Sequence, residues 1–484
     1  RDEYPQLKKD ILTDIAIVGG GMTGIMSAYF LRESGFNVTL IEAEKIFSHT
    51  SGNTTAKVTS LHEMKYTFLK NKFGMEKARI YADSNQWAID EMEKIIQKEN
   101  IDCDFQRVPA QIFATTDEGL EKIKEEFSSM RDLKIGAAFL GNEKLPFKTK
   151  GAIRIENQAI FHPAKFLNSI AKLATKNNVE IFENSRVLEI EENRIITLKT
   201  ADATIKAKKV IMATNYPIFD KAKFYMKMNQ RRSHAIAAKL NGELPKGMHM
   251  NIDGSMLTYR PYQNENGAWA IIGGVDYVTG DFKNINNPFE VLEKSARKLF
   301  DIKSVDFKWA AQDSMPIDQI PYIGKMPNTD NVYVATGFGE WGMTTSLVSA
   351  KIIADLINEK ENGWENLYSP ARIEMKASLE RIKTQVTHVI KGFASHALRA
   401  EKIDTSGLSP DQGRIIEQEG EKVAVYKDKT GDLKMLSTKC THMGCLVNWN
   451  KTEKSWDCPC HGSRFDTDGK ILNSPATKSL QKID

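Results

Sequence analysis

Asp14-Ile-Ala-Ile-Val-Gly-Gly-Gly-Met-Thr-Gly24 decides how the rest of this chain is read. Ile15, Ile17 and Val18 form a short β-branched apolar run; Gly19, Gly21 and Gly24 supply G-x-G-x-x-G, and residues 25–32 carry apolar side chains at helical spacing. Each glycine has a mechanical task. Gly19 permits a tight turn, Gly21 lets the backbone approach a pyrophosphate, and Gly24 lets the helix sit close to the sheet while its first amides, around Met22 and Thr23, face the phosphates. A second strand, 36–41, ends at Glu42, where an acid meets a ribose hydroxyl. The triplet of glycines alone is a weak signal. Strand, glycine turn, helix, second strand and acid in that order predict a dinucleotide site.

A chain of 484 residues exceeds one core and predicts two or three domains. Its net charge of +4, with both signs interspersed, gives no case for nucleic acid or a strongly acidic substrate. No segment approaches about 18 consecutive apolar residues, so no membrane span is expected. Residues 1–10 are charged and lack an apolar signal core, so a cytoplasmic protein is expected. Cys103 stands alone, whereas Cys440, Cys445, Cys458 and Cys460 crowd near the other end, a pattern of metal chemistry more than of a secreted disulfide scaffold.

After Glu42, residues 48–59 form a loop rich in hydroxyls and amides, including Thr54 and Thr55. It reads either as a cradle for the dinucleotide or as an exposed turn. Residues 64–99 and 117–132 are amphipathic helical patterns whose apolar stripe, with Trp87, Ile89, Met92 and Ile95, reads as core. His162-Pro163 opens a helix to Lys176, and 179–182 and 186–191 read as strands. Residues 210–215 form a buried strand ending in a small-residue turn beside the first glycine loop. Between 216 and 316 aromatic strands and turns predict an antiparallel sheet beside the dinucleotide site. A second cluster, Thr336-Gly-Phe-Gly-Glu-Trp-Gly342, precedes a helix from Met343 to Ile357. No strand with a ribose acid follows it. It therefore reads as a helix N-terminus aimed at the same dinucleotide from the other end, with Gly337, Gly339, Gly342, Met343 and Thr344 near the ring.

Residues 11–372 resemble the FAD-dependent oxidoreductases of the D-amino-acid oxidase superfamily, the glycine, sarcosine and γ-glutamylputrescine oxidase branch. The matching stretches are 17–24, 210–215, 313–324, 336–343 and 364–372. The resemblance implies an α/β fold in which a Rossmann-type FAD-binding domain (about 11–63, 151–215 and 317–370) interleaves with an α+β antiparallel-sheet substrate domain (about 64–150 and 216–316). It implies cofactor contacts at Gly19, Gly21, Gly24, Glu42, Val187, Ala213 and Thr214. Some members attach FAD to a cysteine shortly before the stretch at 320–324; residues 305–325 hold none, so noncovalent FAD is expected.

Residues 373–404 read as a helical linker, either packed on the flavin domain or lying on a membrane surface. From 405 to 484 the chain carries Cys440-Thr-His442 and Cys458-Pro-Cys-His461, two loops whose cysteines and histidines can share one centre. A Cys2His2 zinc site would leave Cys445 and Cys460 unexplained. The tail resembles Rieske domains, which hold a 2Fe-2S cluster with two cysteines on one iron and two histidines on the other. The resemblance assigns Cys440, His442, Cys458 and His461 as ligands and pairs Cys445 with Cys460 in a disulfide, as in the respiratory-complex kind. That kind commonly has a tyrosine where Phe465 stands, so one hydrogen bond to the cluster is absent, while Ser463 is retained.

The whole chain is thus expected to be a flavin dehydrogenase acting on a small amine or amino acid, passing electrons through the cluster to a protein or quinone acceptor. Tyr259 and Arg260 are expected to position substrate, Arg260 by clamping a carboxylate, with Glu340 and Trp341 beside the flavin. Lys57, His62 and His234 are weaker candidates. An electron-transfer partner of another enzyme and a redox sensor are the other classes these features allow.

Overall fold

The computed structural model describes residues 2–141, 148–254, 256–282, 286–372, 407–418 and 420–483. The linker at 373–404 lies outside them.

Strand Ile11–Val18 sits near the centre of an eight-stranded sheet. Val38–Ile41 and then Val179–Phe182 pair parallel to one side of it, Thr204–Met212 and then Val332–Thr336 parallel to the other, and Tyr322–Lys325 closes that side antiparallel. Ile15 and Ile17 enter one apolar core and Ala16 and Val18 another. Such alternation into two cores is the mark of a strand covered on both faces. Ile15, Ile17 and Val18, all buried, each contribute roughly 1.5–3 kcal/mol. Helix Met22–Leu31 is buried nearly all round, as a helix wedged between layers must be. Helices Pro163–Thr175 and Gly342–Ile357 pack against it, and Thr23 Oγ1 donates to Ser346 Oγ at 2.9 Å, drawing the starts of two helices together. Both N-termini therefore face one place.

A second sheet of nine strands runs in the order Ile302–Pro316, Met228–Leu240, Gly267–Val278, Thr258–Asn264, Met248–Asn251, Gln106–Ala114, Gly151–Ile160 and Lys57–Val58, with Ala137–Leu140 also on Gly151–Ile160. Gly151–Ile160 and Lys57–Val58 thus lie in the second sheet, not with the parallel strands, because Gly151–Ile160 pairs antiparallel with Gln106–Ala114 as the chain returns from helix Asp117–Asp132. The strand expected at 186–191 is confined to Glu189–Glu191, and the long helix Lys65–Lys98 breaks at Gly74 (φ 85).

The last domain has a three-stranded sheet, Gln412–Gln418, Glu421–Lys427 and Leu433–Ser437, and a four-stranded one, Asn448–Asn450, Ser455–Asp457, Arg464–Phe465 and Ile471–Asn473. Its core contains Trp456, Phe465, Leu436 and the four clustered cysteines. Among the described residues, no helix is long and apolar enough to cross a membrane.

Candidate active site

The turn after Ile11–Val18 is shaped by contacts that only glycine satisfies. Gly19 has φ +109, and a Cβ there would stand 2.5 Å from the Ala213 carbonyl oxygen; a Cβ on Gly24 would stand 1.9 Å from the Gly19 oxygen. The strand, the turn at Ala213 and the helix therefore close up together. Glu42 is buried, with Oε2 accepting from Gly20 N at 2.6 Å and Oε1 from Glu44 N at 2.9 Å, so its carboxylate is fixed at the end of its strand. Ser51, from the hydroxyl-rich loop, accepts from Met22 N at 2.9 Å.

These groups open onto one cavity of roughly 750 Å³. Gly19, Gly21, Met22, Thr23, Glu42, Thr54, Thr55, Val187, Ala213, Thr214, Gly339, Glu340, Trp341, Gly342 and Met343 line it, all expected cofactor or flavin-side residues. Gly24 and Gly337 stand behind the lining, and Thr344 meets His62 (Oγ1 to Nε2, 3.4 Å) beneath Trp341, on which the His62 ring stacks at 4.4 Å. Burial lowers the His62 pKa to about 3, so it is a neutral support. His234 is buried, with Nδ1 2.8 Å from the Val275 oxygen and its ring stacked on Tyr277.

Two expectations need correction. Tyr259 lies on the face of its strand opposite Thr258, which lines the cavity; its ring stacks on Phe300 and its hydroxyl donates to the Pro245 oxygen at 2.9 Å. Strand alternation put it on the wrong face. Arg260 is buried but does not line the cavity: Nε donates to the Thr55 oxygen and Nη1 to the Pro261 oxygen at 3.3 Å, so the guanidinium braces the cofactor loop. Beside it, Lys57 does line the cavity, with Nζ donating to Thr55 Oγ1 at 2.6 Å. Burial, then the Arg260 charge, lowers its pKa to about 7.

The sequence reading missed an acidic wall. Glu63, Asp276, Asp313 and Glu340 line the cavity with Arg231, which pairs with Asp276, while Ser233 donates to Asp313 at 3.0 Å. Burial raises the Asp313 pKa to about 6; burial and then the neighbouring carboxylates push Glu340 well above the usual range. Of these, only Glu340, inside the second glycine cluster, and Asp313, heading the stretch 313–324, gave any sequence signal.

In the last domain, Cys440 N donates to the Cys445 oxygen at 2.7 Å and Cys458 N to the Ser463 oxygen at 2.8 Å, folding two tight loops toward each other. Cys445 and Cys460 form a disulfide with Cα atoms 6.5 Å apart, leaving Cys440 and Cys458 as buried free thiols in direct contact. The His442 and His461 rings approach to 4.9 Å, and the buried His442 Nδ1 has no hydrogen-bond partner. Two thiols, two imidazoles and an orphaned ring nitrogen fit a 2Fe-2S cluster. The large cavity, fixed carboxylate and paired helix starts fit FAD equally well.

Comparison with known proteins agrees. The FAD dependent oxidoreductase family matches residues 14–356 and the Rieske 2Fe-2S domain family residues 401–484. YhfW of Bacillus subtilis (strain 168), named for a Rieske 2Fe-2S iron-sulfur centre, is 35% identical over 99% of this chain and 95% of its own. Gamma-glutamylputrescine oxidoreductase of Escherichia coli (strain K12) is 24% identical over 75% of this chain and 88% of its own. The solved glycine oxidase of Geobacillus kaustophilus has the same fold, at TM-score 0.63 and 17% identity over 75% of this chain and 99% of that one. The chain belongs to the FAD dependent oxidoreductase family and carries a Rieske domain at its C-terminal end, with FAD and a 2Fe-2S cluster as its cofactors.

Proposed function

We propose that this oxidoreductase oxidises a small amine or amino acid at the C–H bond next to nitrogen and that the electrons leave through the cluster to an external one-electron acceptor. One observation carries this reading. The cavity that begins at Gly19 and Gly21 is also lined by Pro459, Cys460 and Gly462 of the cluster loop, so one enclosure borders both cofactor sites. Bound FAD supplies a hydride acceptor and the cluster a one-electron relay.

The chain's own residues do the rest. The glycine loop and Glu42 hold the dinucleotide. Glu340 and Trp341 stand where the second helix begins, beside the acidic wall, whose carboxyl oxygens can accept hydrogen bonds from a substrate amine. A hydride leaves only from the neutral amine. Lys57, with its pKa lowered to about 7, is the base on the cavity wall that takes the ammonium proton near neutral pH. The resemblance to gamma-glutamylputrescine oxidoreductase supports an amine donor. Anaerobic mixing with a panel of amines and amino acids tests the reading: at least one should bleach the flavin, and a flavin that none of them bleaches would refute it.

A further inference from the structure

Two glycines far apart in sequence let the cluster loops meet the second sheet. Gly280, at the end of one cavity-wall hairpin, has φ +80, and a Cβ there would stand 2.7 Å from Pro459 N and 2.9 Å from the Asp457 oxygen. Gly462, next to His461, has φ +77, and a Cβ there would stand 2.3 Å from Gln230 Cβ. Gly280 gives up a side chain against the cluster loop's backbone, and Gly462 gives one up against the Gln230 side chain. Asn448 Nδ2 then donates to the Gly280 oxygen at 2.8 Å.

Gln312 is the residue common to both halves of this contact. It is buried, and its carbonyl accepts from Asn215 Nδ2 and from Thr50 Oγ1, each at 3.0 Å, which ties it to two segments of the cofactor cradle. Its side chain points the other way: Nε2 donates to the Gly462 oxygen at 2.8 Å, and Thr279 Oγ1 reaches Oε1 at 3.4 Å. Gly462 is bonded directly to His461. A path of covalent bonds with one short hydrogen bond therefore runs from the cavity lining to a cluster ligand. Elsewhere the flavin domain meets the histidines through ring contacts, Tyr225 at 5.8 Å from His461 and Tyr216 at 6.5 Å from His442.

We propose that Gln312 is the positioning residue that couples the flavin cavity to the His461 side of the cluster, so that electrons enter the cluster through Gly462 and His461. The inference rests on the function proposed above. Each transfer takes one electron from the reduced flavin and adds one to the oxidised cluster. The flavin's protons go to solvent, and the one-electron acceptor empties the cluster before the second transfer. A hydrogen-bonded bridge carries electronic coupling that a gap between side chains does not, so removing its donor slows transfer without altering either cofactor.

The test uses the full-length, fully loaded protein, with the flavin photoreduced anaerobically by a 5-deazariboflavin flash, and takes as the transfer rate the phase of cluster reduction that coincides with reoxidation of the reduced flavin. Gln312→Leu, or Gln312→Met if that variant does not fold, should slow cluster reduction about tenfold, the rate equivalent of about 1.4 kcal/mol. Its cluster EPR spectrum and midpoint potential should stay unchanged. Asn448→Ala, which removes an interface hydrogen bond off this path, should transfer at the parent rate. Parent-rate transfer in the Gln312 variants would overturn the inference, and so would equal slowing in Asn448→Ala, which would assign the effect to docking in general. A parent protein that passes no electron from flavin to cluster would instead refute the proposed function.

Discussion

Replacing Glu453 by Gln should weaken the hold of the cluster domain on the flavin domain. The Glu453 carboxylate accepts from Arg232 of the flavin domain, with Nε at 2.9 Å and Nη2 closer still, and lies 3.1 Å from Arg464 of its own domain. Both arginine side chains are nearly fully buried, at 6% and 5% exposure, so neither charge can be left to water. Burial alone would raise the Glu453 pKa, but Arg464 and Arg232 outweigh it and hold it at about 2. Lowered from an ordinary 4.5, that pKa makes the ionised folded form more stable by about 3 kcal/mol. Truncating one member of a buried pair typically costs about 3–5 kcal/mol, of the same size. Because the folded pKa is depressed, this stability is fully present above pH 4.5 and is lost as the pH falls toward 2. Urea unfolding of the full chain at pH 7 should show Glu453→Gln losing about 3 kcal/mol, and the loss should shrink on acidification. Arg232→Met, which removes only the arm between domains, should lower the cluster domain's resistance to separation while sparing its Arg464–Asp457 pair. A loss below about 1 kcal/mol for Glu453→Gln, the scale of a surface ion pair, would mean that these buried charges do not hold the domains together.

Acid precipitation should release intact FAD, since no cysteine occurs at 305–325; flavin retained on the denatured chain would contradict noncovalent binding. Gly21→Val should abolish FAD binding, because even a single Cβ there stands 3.0 Å from Ser51 Oγ, while the cluster domain, with its own core, keeps a Rieske EPR signal. Ser463→Ala should lower the cluster's midpoint potential in a redox titration: Ser463 hydrogen-bonds Cys440, and loss of a donor to a cluster sulfur destabilises the reduced state.

Local patterns were legible in the sequence and long-range ones were not. The glycine turn, the second glycine cluster and the two cysteine-histidine loops are each written within about a dozen consecutive residues, because turn geometry and ligand spacing are local demands. Whether a strand residue faces the cavity depends on its register in the sheet, and this misplaced Tyr259 while Thr258 next to it lines the wall. The acidic wall assembles Glu63, Asp276, Asp313 and Glu340 from separate segments, and although two of these carry recognisable stretches, nothing local shows that the four carboxyl groups meet. Gly280 and Gly462 gave no sign of their mutual fit, because each reads as an ordinary turn glycine until the two domains are placed together. Lys57 was visible, but its lowered pKa comes from burial beside Arg260, which only the fold creates.

The most direct test of the central claim is to add, without oxygen, an amine that bleaches the flavin, freeze the sample, and record the EPR spectrum of the cluster. The reduced Rieske signal should appear as the flavin loses its colour. A bleached flavin beside a cluster that stays oxidised and EPR-silent would contradict it.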